Sequence, residues 1–127
     1  MESAIERFAA ISFFVVGLSH VLQPKGWAEF FAQLRAKGAP GAFINGMMSL
    51  SMGALIVAFH GGDWSWPGGI VTFIGWGQVF KGTLHMCVPS HSLRSMAQVP
   101  VEKAWKFVAA GAVMLPLSVA MFAASLR

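Results

Sequence analysis

The sequence predicts an all-α membrane protein, with four transmembrane helices formed by two tandem, parallel two-helix repeats. Three observations carry this. Charged residues make up 11% of the chain and the hydrophobic set 56%, with a mean hydropathy of +0.64. A water-facing domain of ordinary composition carries about 25% charged residues. The few charges sit between long uncharged runs, and the second half of the chain repeats residues of the first at a constant offset of 65 positions.

The uncharged runs define the helices. No Asp, Glu, Lys or Arg falls between Arg7 and Lys25, Lys37 and Asp63, Asp63 and Lys81, or Lys106 and Arg127. A helix crosses the apolar core of a bilayer in about 20 residues, which places helices near 5–23, 41–60, 68–87 and 104–124. The runs are too long, and alternate too little, for strands. The chain is one transmembrane domain over 1–127, with repeat 1 at about 1–62 and repeat 2 at about 66–127. The start, MESAIER, lacks a clean basic region, and no small-residue cleavage pattern follows the first run, so that run reads as a retained helix.

Between the first two spans, Trp27, Phe30, Phe31 and Leu34 recur at helical spacing while Glu29, Gln33 and Arg35 lie off that face. This predicts a short amphipathic helix near 26–37, lying in the membrane interface. Lys37-Gly38-Ala39-Pro40 ends it.

The basic residues orient the chain. Lys25, Arg35, Lys37, Lys81, Arg94, Lys103 and Lys106 gather on one side; Arg7 and Arg127 flank the other, with Glu2, Glu6 and Asp63. The positive-inside rule puts the basic side in the cytoplasm and both termini outside, the periplasmic side of a bacterial inner membrane. Trp64 and Trp66 suit the outer interface and Trp27 and Trp105 the inner one. Assigning Glu6 to the outer flank leaves no carboxylate within a span, which argues against a carboxylate proton relay. The formal charge of +4 is explained by topology; no basic stripe with stacking aromatics points to nucleic acid.

At the 65-residue offset, Gly17-x-x-His20-x-x-x-Pro24 falls on Gly82-x-x-His85-x-x-x-Pro89, and the ungapped alignment holds eleven identities over 62 positions, Gly46/Gly111 and Leu50/Leu115 among them. Each half crosses the membrane an even number of times, so the repeats are expected to be parallel about an axis along the membrane normal. His20 and His85 then lie at equal depth.

These histidines head the candidate site. Gln78, Lys81 and His85 share one stripe of the third span, and Asn45 and Ser49 are four apart on the second. Polar groups within a membrane are costly and usually face the bundle interior, where they mark function. Gly17 and Gly82 lie three residues before their histidines and are expected to leave space beside each imidazole. The pair is expected to share a pocket, as axial haem ligands or as contacts for a quinone. The structural alternatives are hydrogen bonding at helix ends for the histidines and an extended, interface-seeking stem for Lys81. Met47, Met48, Met52 and Met86, with Cys87, read as core filler in preference to a Cu(I) site. The lone cysteine excludes an intrachain disulfide. Seven-residue glycine spacings, Gly46/Gly53 and Gly75/Gly82, suggest close helix packing and a homodimer.

From Val16 to Phe59 the chain resembles the DoxX-like membrane proteins. The resemblance rests on Gly17-x-x-His20-x-x-x-Pro24, the aromatic segment, Pro40, and the small-residue helix with Gly46 and Gly53. It implies a small four-helix protein of the bacterial inner membrane, with links in some members to quinol oxidation or sulfur metabolism. Where members often carry an acid in the second helix, this chain has Met48 and Ser49. The expected role is an accessory or subunit of membrane redox chemistry, without an activity of its own. A small-solute transporter or channel, and a ligand-free subunit of a larger membrane complex, stand as alternatives.

Overall fold

The computed structural model describes residues 2–60, 62 and 64–126. Over these the chain is helical: α1 (Glu2–Leu22), α2 (Pro24–Ala36), α3 (Ala39–His60), α4 (Gly68–Cys87), α5 (Pro89–Met96), a single 3₁₀ turn (Val101–Lys103) and α6 (Trp105–Ala124). Three stretches, Ser3–Leu22, Ala39–His60 and Trp105–Ala124, are long and apolar enough to cross a membrane. The fourth long helix, α4, has the same 20-residue length as α6 but carries Gln78, Lys81 and His85.

The short helices follow from local chemistry. Pro24 and Pro89 each open one at its first turn, where the missing N–H costs no hydrogen bond. Gly38, at φ +69°, closes α2 in a left-handed conformation that lets α3 begin one residue later. The α2 helix matches the expected amphipathic segment. The α5 helix was not expected. Its signal was Pro89, the counterpart of Pro24, but the segment is too polar to register as a periodic apolar helix.

The long helices pack as two close pairs, α3 with α4 and α1 with α6. The expected hairpin of α1 with α3 is only loosely packed, because each of the two packs mainly on another long helix. Glycine sets both close pairs. A Cβ on Gly111 would lie 2.5 Å from the Gly17 carbonyl oxygen, and one on Gly82 would lie 2.8 Å from that of Gly46. Farther along the α3–α4 pair, a Cβ on Gly53 would lie 2.7 Å from the Gly75 oxygen. The glycines proposed for dimerisation therefore serve the chain's own core.

The buried core is small: Ile5, Ala9, Ala10, Ile56, Val71 and Met121 at one end, and Ala28, Ala104 and Phe107 at the basic end. Large apolar residues are exposed along all four long helices, among them Phe14 and Val15, Met47 and Leu55, Phe73 and Phe80, and Val113 and Val119. An aqueous surface rarely tolerates so continuous an apolar exterior.

Candidate functional site

The two helix pairs meet face to face, and a cavity of about 240 Å³ opens between them toward the basic end. Its two walls differ in chemistry. The α3–α4 pair contributes Asn45, Ser49, Gln78 and Lys81 together with Met48 and Met52; the α1–α6 pair contributes Phe13, Val16 and Met114, with Ser12 and His20 as its polar members. Trp27 and Phe31 of α2 close the basic end.

The walls correspond through the 65-residue offset. Gln78 falls on Phe13, Lys81 on Val16, and Met114 on Ser49. Positions matched by the offset thus face one cavity from both sides, and the α3–α4 wall is the more polar of the two.

His20 is 8% exposed. Its Nδ1 is 2.7 Å from the Val16 carbonyl oxygen. A carbonyl can only accept, so Nδ1 carries the proton in this contact, and the lone pair of a neutral ring falls on Nε2. The ring stacks on Trp27 with centroids 4.2 Å apart. Trp27 donates its indole N–H to Ser19 Oγ at 2.9 Å, which holds the half-buried indole against α1. Phe31 in turn stacks on Phe107 at 5.7 Å. The aromatic face of α2 therefore points into the bundle.

His85 occupies a neighbouring compartment of about 160 Å³, lined also by Ser95, Met96, Val99 and Phe107. The two compartments share Phe31, Asn45 and Lys81. His85 Nδ1 is hydrogen-bonded to the hydroxyl of the buried Ser92. Ser92 is the offset counterpart of Trp27, so each histidine rests against the same position of its short helix. The sequence-predicted residues are thus gathered at one end, but the histidines line adjoining compartments instead of one pocket. Gly17 and Gly82 line neither; helix backbone fills the space beside them.

One property of the cavity bears directly on its chemistry. Among the described residues, the side chains of Asn45, Ser49, Gln78 and Lys81 make no hydrogen bond or ion pair within the protein, and His20 Nε2 makes none. Asn45 is 3% exposed and Ser49 6%. The polar atoms of Asn45, Ser49 and His20 are not fully sealed and face accessible space, Gln78 is half-buried and Lys81 is exposed. Buried polar groups in folded proteins are nearly always satisfied, and here the cavity is where satisfaction must come from.

A second polar cluster lies at the opposite end, and sequence reasoning missed it. His60 Nε2 is 2.6 Å from Glu6 Oε1, and Nδ1 is 3.0 Å from Thr72 Oγ1. Thr72 also donates to the His60 carbonyl oxygen at 3.1 Å. All three are at most 2% exposed. Glu6 is therefore an internal residue of α1, not a flanking charge, and the expectation of no carboxylate within a span is corrected. The cluster ties α1 to the α3–α4 pair. Its signal in the sequence was the interruption of apolar runs by His60 and Glu6, but residues 54 positions apart cannot be paired by spacing.

The described residues hold no group of three or more His, Cys, Asp or Glu side chains suited to one metal ion. No family model, curated protein or solved structure matches the chain. Fold and cavity together define a class: an all-helical protein with three membrane-length helices and a half-polar, half-apolar cavity near its basic end.

Proposed function

We propose that the chain is a four-crossing bacterial inner-membrane protein that binds a quinone headgroup between its two helix pairs, as an accessory to membrane redox chemistry. The observation that carries this is the set of polar groups with unspent hydrogen-bonding capacity, most of them on the α3–α4 wall, around a largely apolar cavity. A quinone head is a flat apolar ring whose carbonyl oxygens only accept hydrogen bonds. Asn45, Ser49, Gln78 and Lys81 supply donors, while Phe13, Met114 and the edge of the Trp27–Phe31 cluster suit the ring. His20 Nε2 is placed to accept the hydroxyl proton of the reduced form. The volume of about 240 Å³ suits one ring and is small beside the roughly 300–1,000 Å³ of pockets that hold drug-sized ligands. Axial ligation of one haem iron is less well served, since His20 and His85 line different compartments and His85 is held by Ser92.

The fourth crossing is supported by α4 itself. Phe73, Trp76 and Phe80 recur at helical spacing and are 70%, 48% and 67% exposed, an apolar outer face opposite Gln78 and Lys81. The polar residues that lower its hydropathy are those turned to the cavity. A basic end facing the cytoplasm and periplasmic termini follow from the charge bias. A duplication is supported by the matched Gly17–Gly111 and Gly82–Gly46 contacts. The DoxX-like resemblance agrees with this reading.

Titrating a short-chain benzoquinone into the purified protein in nanodiscs tests it. Trp27 fluorescence should be quenched saturably, and Trp27→Phe should remove that component. Gln78→Leu and Asn45→Leu should each weaken binding by about tenfold, the equivalent of one lost hydrogen bond. Quenching that never saturates, or is indifferent to both substitutions, would refute the assignment. A Soret band in the purified protein would return the haem reading.

A further inference from the structure

We infer that the His85 compartment is a second subsite, built for a phosphate-type oxyanion that pairs with Lys81 and is bound by His85, Asn45 and Ser95. This goes beyond the quinone assignment: Lys81 and Asn45 border both compartments, but His85 and Ser95 border only this one, so their variants test the anion subsite by itself.

The first ground is charge. Lys81 lines both compartments and has no ion pair among the described residues. No carboxylate lines either compartment. The acids nearest in sequence to this end, Glu29 and Glu102, are exposed and contribute to neither. Lys81 is itself exposed, so what the two compartments share is an ammonium at their common edge with no ion pair among the described residues, open to an anion.

The second ground is the donor set. Asn45 and Ser95 make no hydrogen bond within the protein, and His85 Nε2 makes none once Nδ1 is engaged by Ser92. Amide, hydroxyl, imidazole and ammonium around about 160 Å³ form a set suited to several oxygens on one centre. A water occupies about 30 Å³ of liquid, so the space takes a tetrahedral oxyanion without rearrangement.

The third ground is access. Ser95 is exposed, and α5 packs against α3 and α4 but hardly against α6. The compartment therefore opens at the end that carries Lys25, Arg35, Lys37, Arg94, Lys103 and Lys106. Such a field concentrates anions there. The phosphate group has two sources, an anionic lipid headgroup or free phosphate.

The test uses the full chain in a mild non-ionic detergent. In one arm, native mass spectrometry measures retention of phosphatidylglycerol against phosphatidylcholine. In the other, thermal unfolding is followed with inorganic phosphate against chloride at matched ionic strength. A Lys81-dependent preference for phosphatidylglycerol identifies a lipid headgroup. Lys81-dependent stabilisation by phosphate alone identifies the free ion. In either case Lys81→Met should weaken binding roughly tenfold or more, and His85→Gln and Ser95→Ala several-fold. Gln78→Leu, which impairs only the larger cavity, should leave anion binding unchanged. If Lys81→Met fails to assemble, Lys81→Arg, which keeps the charge, should bind while His85→Gln still shows the loss. Binding in neither arm, or binding that ignores Lys81, His85 and Ser95 and so reflects only the basic surface, overturns the proposal. Quinone quenching that fails while Lys81-dependent anion binding persists would refute the quinone assignment alone.

Discussion

Replacing Glu6 by leucine while keeping His60 isolates what the buried polar cluster contributes. The Glu6–His60 contact is 2.6 Å long, and the residues are 2% and 1% exposed. Removing one partner of such a pair leaves an imidazole nitrogen buried beside a hydrocarbon side chain. In soluble proteins that costs about 3–5 kcal/mol. Hydrogen bonds between membrane helices contribute less, about 0.6 kcal/mol on average and at most about 1.7, because the unfolded helices also find partners. The nearly complete burial of His60 places this case toward the higher range, and we expect about 3 kcal/mol for Glu6→Leu. Glu6→Gln retains an acceptor for His60 and should cost about 1 kcal/mol. In Glu6→Leu/His60→Leu neither member of the pair is left facing a hydrocarbon partner, and the loss should fall well short of the sum of the single losses. Reversible unfolding in mixed micelles, run as a double-mutant cycle, reads this directly. Additivity within about 0.5 kcal/mol would refute the view that the pair acts as a unit.

Four further outcomes are expected. Gly53→Ala should destabilise the α3–α4 pair by about 1–3 kcal/mol, because its Cβ would lie 2.5 Å from the Val79 backbone nitrogen; Gly77→Ala, with open space around it, should be neutral or stabilising by up to about 1 kcal/mol. Thermal unfolding of the two variants in detergent compares them. Phe31→Ala removes the stack on Phe107 and should loosen α2, seen as faster proteolysis between α1 and α3. Cysteines placed at Ser3 and Ser65 should react with an impermeant thiol reagent from the periplasm, and reaction of the Ser65 position only from the cytoplasm would reverse the assigned orientation. Thr72→Val should cost about 0.5–1.5 kcal/mol through the lost contact with His60.

Much of the candidate site was legible because the sequence interrupts apolar runs only where something compels it. Gln78, Lys81, Asn45 and Ser49 stand out on that ground alone, and all four line one cavity. The relation between the histidines was legible as equivalence but not as geometry. Gly17 and Gly82 were read as space for a ligand, and the neighbouring helix takes that space. Glu6 was misassigned because a charge near the start of an apolar run looks the same whether it flanks the run or turns inward.

By itself, the sequence determined the helical class, the membrane-length runs, the basic end and the amphipathic segment ending at Gly38. These are local or one-dimensional properties: composition, run length and period survive without knowledge of what packs on what. Only the tertiary structure decided that α3 pairs with α4 and α1 with α6. It also decided that Trp27 turns inward onto His20, that Glu6 meets His60, and that Lys81 stands between two compartments. Each of these joins residues whose separation carries no signal of contact. The choice among partners depends on which glycine faces let helix backbones approach and which polar groups can satisfy one another once water is gone.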